Sequence, residues 1–382
     1  MSDSSSVTGA PAFGTLGGEE LLTALHAYCA EKGVSDIHLS PQKSGVRLDL
    51  RLHGVLRSLV EVSHERYETF LRRVKFESKL KLNLTNIPQD GQYVFRATVR
   101  TAEGGERSRT VNVRVATLPS RFGEALTLRL LDPERGILPL EKLGFPQEIK
   151  KQLQDLVELP NGLVLVTGPT GSGKTTTLYA MLSTIIGKER NIITLEDPVE
   201  YELPGIIQSE IDIDHDFTFA SGLRSILRHD PDVILVGEIR DLETAQTAIN
   251  AALTGHLVLS TLHTNSAIEA IPRLLSMGVS PYTFAPALRA VLGQRLIRTL
   301  TPACQHSKTC DPSAHESYGG QMTLPELAIV SPAIRQQILA FEQTKAIEDQ
   351  AKKEGFKTMK EWGDDFIRQG VTTIEEVSRV TM

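Results

Sequence analysis

The sequence has few cysteines and no long apolar run, and each absence argues against a class of protein. The 382 residues include three cysteines, at positions 29, 304 and 310, which are too few and too scattered to predict a disulfide framework. A reducing compartment is therefore expected. No stretch approaches the ~18 uninterrupted apolar residues that a membrane span needs. Residues 1–18 lack the basic start and apolar stretch of a secretory signal.

The chain also lacks a net basic charge and has few aromatic residues. Its formal net charge is −6, which provides no overall positive field for nucleic acid or anionic lipid. Aromatic residues make up 5% of the chain, so few side chains could stack on single-stranded bases. We expect a cytoplasmic protein that does not bind nucleic acid and reaches a membrane only through a partner.

The first part of the chain predicts an α+β domain. Residues 1–18, rich in Ser, Gly, Ala and Pro, predict a flexible tail, and residues 19–132 predict the domain itself. Helical spacing covers Glu19–Lys32 and Arg66–Leu80. The predicted strands are Asp36–Ser40, Val46–Leu52, Val55–Val62, Gln92–Arg100, Arg107–Thr117 and Ala125–Leu131. Prolines and a glycine within residues 133–143 predict an interdomain linker.

The second part, residues 144–382, predicts a parallel sheet flanked by helices. Short, continuously apolar runs are separated by helical pattern or loop, which is typical of strands buried on both faces. These runs are Leu163–Val166, Ile192–Leu195, Val233–Val236 and Leu257–Thr261. From about residue 266 to the end, the apolar spacing predicts helices. The fold class is therefore α/β, in two domains.

A glycine-rich motif follows the first apolar run and precedes a helical stretch. Residues 168–175 match G-x-x-x-x-G-K-[ST] without a mismatch, which predicts a site for nucleotide phosphates. Lys174 is expected to contact the β- and γ-phosphates, and Thr175 to offer its hydroxyl to Mg²⁺. The expected nucleotide-binding residues are Gly168, Pro169, Thr170, Gly171, Ser172, Gly173, Lys174, Thr175 and Thr176. The alternative is an accidental match in a glycine-rich turn.

Titratable side chains follow the next three apolar runs. Because the carboxyl ends of parallel strands meet at one edge of a sheet, we expect these groups beside the phosphates. Many P-loop enzymes have Asp where this chain has Gly237, so Glu238 is the expected water-orienting group. Asp197 or Glu200 is expected in the Mg²⁺ shell, unless these acids form a solvated loop. The groups after the three runs are Glu196, Asp197 and Glu200, then Glu238, then His263.

Several segments resemble the type II/IV secretion ATPase superfamily, in that family's order. ITLEDPVEY (193–201) resembles its Asp box, LRSILRHDPDVILVGEIRD (223–241) its Walker B segment and TGHLVLSTLHTN (254–265) its His box. SDIHLSP (35–41), RLHGVL (51–56) and RVATLPSRFGEALTLRLLD (114–132) resemble its N-terminal domain. The resemblance implies a PAS-like N-terminal domain, a RecA-like C-terminal domain, a ring of six, and ATP between the two domains.

The resemblance also implies roles for individual residues. Glu200 matches the Asp-box carboxylate and Glu238 the Walker B glutamate. His256 and His263 match the His-box histidines, of which the second approaches the γ-phosphate region. Arg114 and Arg129 match N-terminal-domain arginines that reach the phosphates, and Arg121 is a weaker match. The alternatives are outward-facing strand arginines and a structural histidine at 256.

The resemblance leaves the branch of the family open. The tail at 357–381 is similar to that of pilus-assembly and type II secretion motors, which retraction motors usually lack. Those motors usually carry a further N-terminal domain and a four-cysteine zinc module, neither of which this sequence matches. The zinc-competent residues here are Cys304, His306, Cys310 and His315, but their spacing favours a metal-free loop.

We therefore expect an ATP-hydrolysing homo-hexamer that drives type IV pilus assembly or type II secretion. It would act at the cytoplasmic face of the inner membrane through a membrane platform protein and other components of that machinery. The alternatives are a nucleic-acid translocase or DNA-transfer ATPase, a pilus retraction motor, and a scaffold that binds ATP and barely hydrolyses it. A basic ring pore would favour the translocase. Unchanged ATP turnover after substitution of Glu238 by Ala would favour the scaffold.

Overall fold

The computed structural model describes residues 13–100, 105–305, 310–311, 314 and 317–381. The chain divides into two compact units, Met1–Gly136 and Ile137–Met382. Among the described residues, no helix combines the length and apolar character required to cross a membrane.

The first unit is built on an antiparallel sheet with the strand order β3-β2-β1-β6-β5-β4. Alternating side chains of this sheet and the apolar sides of α1 and α2 form one hydrophobic core. The predicted strands are confirmed, with ends shifted by up to three residues. The elements are α1 (Gly18–Lys32), β1 (Val34–Pro41), β2 (Val46–Leu52), β3 (Val55–Val62), α2 (His64–Glu77), β4 (Gln89–Arg100), β5 (Glu106–Ser120), β6 (Gly123–Leu131) and α3 (Pro133–Gly136).

Some residues that the sequence assigned to the tail pack into the first unit. Residues 1–12 of the expected tail lie outside the described residues. Phe13–Thr15 form a short 3-10 turn, and the Phe13 ring is buried edge-on against Tyr28, 5.5 Å between centroids. The boundary predicted at residue 19 overlooked this contact because a single aromatic residue in a polar stretch gives no periodic pattern.

The second unit is built on a sheet with the order β13-β12-β7-β11-β10-β8-β9. Its central strands are parallel, and separate hydrophobic clusters cover its faces. The strands are β7 (Gly162–Thr167), β8 (Ile192–Glu196), β9 (Ile207–Glu210), β10 (Val233–Val236), β11 (Leu257–Leu262), β12 (Leu288–Leu300) and β13 (Tyr318–Ile329). The four predicted apolar strands are confirmed, and with them the α/β class.

Helices cover this sheet and form much of the C-terminal region. They are α4 (Gln147–Val157), α5 (Lys174–Ser183), α6 (Phe219–Ile226), α7 (Leu242–Leu253), α8 (Ala270–Ser276), α9 (Pro281–Ala287), α10 (Pro302–Gln305), α11 (Pro332–Leu339), α12 (Thr344–Lys353), α13 (Met359–Arg368) and α14 (Ile374–Thr381). Leu140 and Leu143, within the predicted linker, are buried in the core of this unit.

The prediction that the chain is helical from residue 266 onward was wrong for two segments. Strand β12 runs parallel to β7, and β13 returns antiparallel to β12, so both extend the sheet. Apolar side chains line most of β12, and an apolar run has no period that separates a buried strand from a buried helix. The correction matters because β12 lies directly beside the strand that leads into the glycine-rich loop.

Candidate nucleotide and hydrolysis site

The glycine-rich loop connects β7 to α5, as the sequence predicted. Gly168, Gly171 and Gly173 have φ angles of 147°, 78° and 85°, which side-chain-bearing residues rarely adopt. A Cβ on Gly168 would lie 2.5 Å from the Gln294 carbonyl oxygen and 2.5 Å from Ser172 Oγ. A Cβ on Gly171 would meet no described atom within 4 Å. The loop is therefore tight at its base and open at its tip, where Pro169 and Thr170 are exposed.

Helix α5 begins at Lys174 and points its N-terminus into this loop. No described side chain caps that end, so its first amides are suited to an anion. Lys174 Nζ donates to the carbonyl oxygens of Gly168 at 2.9 Å and Pro169 at 3.1 Å. Burial lowers the pKa of Lys174, while the nearby Glu238 opposes that shift. Thr175 and Thr176 follow in the first turn, both half-buried.

The structure brings Glu238 and His263 together at the same edge of the sheet. Glu238 follows β10 and His263 follows β11, and these strands are parallel neighbours. Glu238 Oε1 lies 2.5 Å from Arg240 Nη2, and Glu238 Oε2 lies 3.6 Å from His263 Nε2. The pKa of His263 is lowered, chiefly by burial and next by the charge of Lys174, which favours a neutral imidazole. Lys174, Glu238 and His263 thus form one electrostatic cluster.

The acids after β8 divide into two kinds. Asp197 Oδ2 lies 3.7 Å from Arg240 Nη1, and Glu200 is half-buried in the loop that follows. Glu196 instead points inward, and burial raises the pKa of its carboxyl. Asp197 and Glu200 therefore remain the candidates for a metal shell, whereas Glu196 belongs to the interior.

Sequence reasoning missed two polar residues that touch the site. Gln294 on β12 is fully buried, and its Nε2 donates to the Ser172 carbonyl oxygen at 2.6 Å. Tyr179 on α5 donates its hydroxyl hydrogen to Glu196. Neither residue belongs to a motif in the sequence. The one signal for Gln294 was a polar residue inside an apolar run beside Gly293, and it acquires meaning only once β12 is placed next to β7.

The two candidate arginines of the first unit share one face of its sheet. Arg114 on β5 is the cross-strand partner of Arg129 on β6, so both side chains project from the same side. Arg129 Nε donates to Asp36 Oδ1 at 2.9 Å, and Arg51 lies 3.5 Å from the other oxygen of that carboxylate. The weaker candidate Arg121 lies over the Phe122 ring, 5.5 Å from its centroid.

His256 and the cysteine-containing loop have structural contacts. The ring Nδ1–H of His256 donates to the Ala251 carbonyl oxygen at 2.9 Å, which matches the structural alternative for this histidine. Cys304 and Cys310 form a disulfide, with their Cα atoms 5.4 Å apart, a pairing the sequence analysis did not predict. Their sulfurs are therefore bonded to each other rather than available to zinc, and His306 and His315 lie outside the described residues.

The donor atoms near the loop suit Mg²⁺. They are oxygens: the Thr175 hydroxyl at the start of α5 and the carboxylates of Asp197 and Glu200 beyond β8. Mg²⁺ bound with a nucleotide usually takes one or two protein oxygens and fills its shell with phosphates and water. No cluster of three or more His, Cys, Asp or Glu suited to a metal exists among the described residues.

Comparison with protein families and curated relatives gives a consistent result. The family model of the type II/IV secretion system protein matches residues 18–379. The type II secretion system protein E of Dickeya dadantii is 43% identical, covering 94% of this chain and 75% of that protein. The type II secretion system ATPase E of Vibrio cholerae is 40% identical, covering 95% and 75%.

Solved structures agree at the level of the fold. The crystal structure of the pilus retraction motor PilT with bound ADP is 30% identical, with a TM-score of 0.65, covering 94% of this chain and 96% of that one. The ATPase DotB of Yersinia pseudotuberculosis has a TM-score of 0.72 at 20% identity, which concerns the fold alone. On this evidence the chain belongs to the type II/IV secretion ATPase family and is a P-loop enzyme that hydrolyses ATP with Mg²⁺.

Proposed function

We propose that this chain is the ATP-driven motor of a type II secretion or type IV pilus assembly machine. It would act as a ring of six at the cytoplasmic face of the inner membrane, where its work is passed to a membrane platform protein. The observation that carries the proposal is the cluster of Lys174, Glu238 and His263 at one sheet edge. Relatives named for type II secretion, at 40–43% identity, favour this branch over the retraction motor at 30%.

The chemistry would begin with the phosphates held by the loop. The loop amides and the N-terminus of α5 bind the phosphate oxygens, and Lys174 exchanges its contacts with the Gly168 and Pro169 carbonyls for the β- and γ-phosphates. The lowered pKa of Lys174 indicates that its ammonium group is partly desolvated here. A partly desolvated charge interacts more strongly with phosphate than one in bulk water.

Glu238 would orient the attacking water. Its carboxylate keeps some exposure, 16% of the side chain, while Arg240 and His263 contact its two oxygens. A carboxylate that keeps some exposure can accept a hydrogen bond from a water aligned with the γ-phosphate. A neutral His263 could contact the γ-phosphate region without adding charge to the cluster.

Thr175, with Glu200 or Asp197, would hold Mg²⁺. When bound, this ion offsets negative charge on the phosphates. Asp197 Oδ2 lies 3.7 Å from Arg240 Nη1, and we take Glu200 as the first candidate of the two. This order agrees with the Asp-box assignment of Glu200.

Arg114 and Arg129 would supply positive charge to the phosphates in the transition state. A guanidinium stays charged at any working pH and presents a planar fork that matches phosphate oxygens. Arg129 is held by Asp36 and would have to change partners to act in this way. Parental turnover in an Arg129→Gln variant would remove this arginine from the mechanism.

The proposal is tested by size-resolved ATPase measurements on the purified chain. We expect phosphate release from Mg-ATP in the fractions that contain a six-membered ring, and loss of both nucleotide binding and turnover in Lys174→Ala. Lys353→Ala, which removes an exposed lysine at the end of α12, is the matched control and should behave like the parent. The motor proposal fails if the ring binds ATP tightly yet releases no phosphate, even with the cytoplasmic part of the membrane partner.

A further inference from the structure

The glycine-rich loop and the acidic loop after β8 are connected by a buried tyrosine. Tyr179 lies four residues after Thr175 on α5, so the two side chains project from the same side of the helix. The Tyr179 ring is fully buried, and its hydroxyl donates to the Glu196 carboxylate. Gln208 Nε2 also lies 3.5 Å from this phenol oxygen. The hydroxyl therefore connects α5 to the last residue of β8, where the acidic loop begins.

Glu196 is satisfied by side chains rather than by solvent. Its side chain is turned into the interior, and Thr194 Oγ1 donates to Glu196 Oε1 at 2.5 Å. Gln208 Nε2 lies 3.3 Å from the same oxygen, and Tyr179 donates to the other. With both oxygens engaged by donors, this carboxylate is an anchor for the loop and is a poor candidate for binding a metal.

Gln208 on β9 completes the connection from the far side of the loop. Its Oε1 accepts from the Leu203 amide at 2.6 Å, and its Nε2 donates to the Tyr201 carbonyl oxygen at 3.1 Å. The Tyr201 ring packs edge-on against Tyr179, with 6.5 Å between centroids. Two strands and one helix thus hold the main chain on either side of Glu200.

We propose that Tyr179, Glu196 and Gln208 are positioning residues that hold Glu200 in register with Thr175, so that both can serve one Mg²⁺–nucleotide complex. The inference rests on the proposed function, since it requires these two residues to act on the same ion. Its physical basis is general: residues that hydrogen-bond and orient metal ligands typically affect metal affinity or activity by about 10–100-fold when replaced. None of the three residues needs to touch the nucleotide for this effect.

The test is a Mg²⁺ titration of nucleotide binding, which does not require turnover. Binding of a ribose-labelled fluorescent ATP analogue is followed first in EDTA and then at increasing Mg²⁺ concentration. Tyr179→Phe keeps the ring contacts and removes the hydroxyl. We expect unchanged affinity in EDTA, a Mg²⁺ midpoint raised about tenfold or more, and a fall in kcat with little change in the KM for ATP.

Tyr318→Phe is the matched control, because Tyr318, on β13, is also a buried tyrosine, and its hydroxyl contacts Thr373 Oγ1 at 3.0 Å. It should leave the Mg²⁺ midpoint at the parental value. Glu196→Gln, similar in shape, should reproduce the Tyr179→Phe result and provides a second variant if the first does not fold.

The outcomes separate the inference from the proposed function. A parental Mg²⁺ midpoint in both Tyr179→Phe and Glu196→Gln overturns the positioning role, while a Mg²⁺-dependent, hydrolysing parent leaves the proposed function intact. If the parent itself binds nucleotide equally well with and without Mg²⁺ and releases no phosphate, the proposed function and this inference fail together.

Discussion

Two glutamates, one in each unit, contact a basic side chain at nearly the same distance, but one pair is buried and the other is partly exposed. Lys75 Nζ lies 2.6 Å from Glu124 Oε1 in the first unit, and Arg240 Nη2 lies 2.5 Å from Glu238 Oε1 in the second. The side chains of the first pair are 2% and 4% exposed. In the second, Glu238 is 16% exposed and Arg240 60%.

The difference indicates which charges can take part in chemistry. Lys75 and Glu124 are both shielded from water, and Lys75 also donates to the Leu84 carbonyl oxygen at 2.9 Å. Neither can change partners without leaving a buried charge, so the pair contributes to structure. Arg240 can return to solvent at little cost, which leaves Glu238 able to accept a water. Interatomic distance alone would not separate the two cases.

The largest expected effect on stability comes from breaking the buried pair. Lys75→Met leaves the Glu124 carboxylate buried without a counter-charge, and we expect the first unit to lose about 3–5 kcal/mol of unfolding free energy. Urea denaturation followed by circular dichroism measures the change. The double variant Lys75→Met/Glu124→Leu should recover much of the loss, because no unpaired charge remains.

An exposed pair provides the control for this comparison. Lys188 Nζ contacts Glu158 Oε1 at the same distance, 2.6 Å, but both side chains are about half exposed. Lys188→Met should therefore change stability far less than Lys75→Met. Equal losses for the two variants would contradict the claim that burial rather than distance sets the value of these pairs.

A smaller effect is expected from a half-buried histidine in the first unit. His26 stacks on the Phe95 ring with 3.8 Å between centroids, and burial lowers its pKa from the ordinary 6.5 to about 4. Below pH 6.5 the unfolded chain gains a proton that the folded chain takes up only near pH 4. Stability contributed by the neutral ring is therefore complete above pH 6.5 and falls by about 2–3 kcal/mol as the pH drops to 4.

Urea midpoints at several pH values measure this contribution. The urea midpoint of the parent should exceed that of His26→Gln by most at neutral pH. The difference between the two midpoints should narrow steadily between pH 6.5 and 4. A gap between the parent and His26→Gln that is independent of pH would mean that His26 titrates normally in the folded chain.

Motifs and apolar runs in the sequence predicted part of the fold and part of the candidate site. The glycine-rich loop, the parallel strands before it and after it, and the placement of Glu238 and His263 follow from motif spacing and apolar runs. Strand β12 was missed because its apolar run has no distinguishing period, and with it the contact between Gln294 and Ser172. Contacts of this kind depend on which strands become neighbours.

The acids after β8 show the same limit within a single motif. Glu196 and Asp197 are adjacent in sequence and both carry a carboxyl group, yet Glu196 is buried while Asp197 is exposed. Strand β8 ends at Glu196, so Asp197 lies just beyond the buried strand. Thr194, on the same strand, supplies one of the three donors to Glu196, and the other two come from Tyr179 and Gln208 on other elements.

The most direct test of the hydrolysis site is phosphate release by Glu238→Gln beside the parent. We expect turnover to fall about 100-fold or more, since a water-orienting carboxylate is lost, while the labelled ATP analogue binds with parental affinity. Glu342→Gln, at an exposed position after α11, is the matched control and should keep parental turnover. Parental turnover in Glu238→Gln would contradict the account and place the water-orienting group elsewhere.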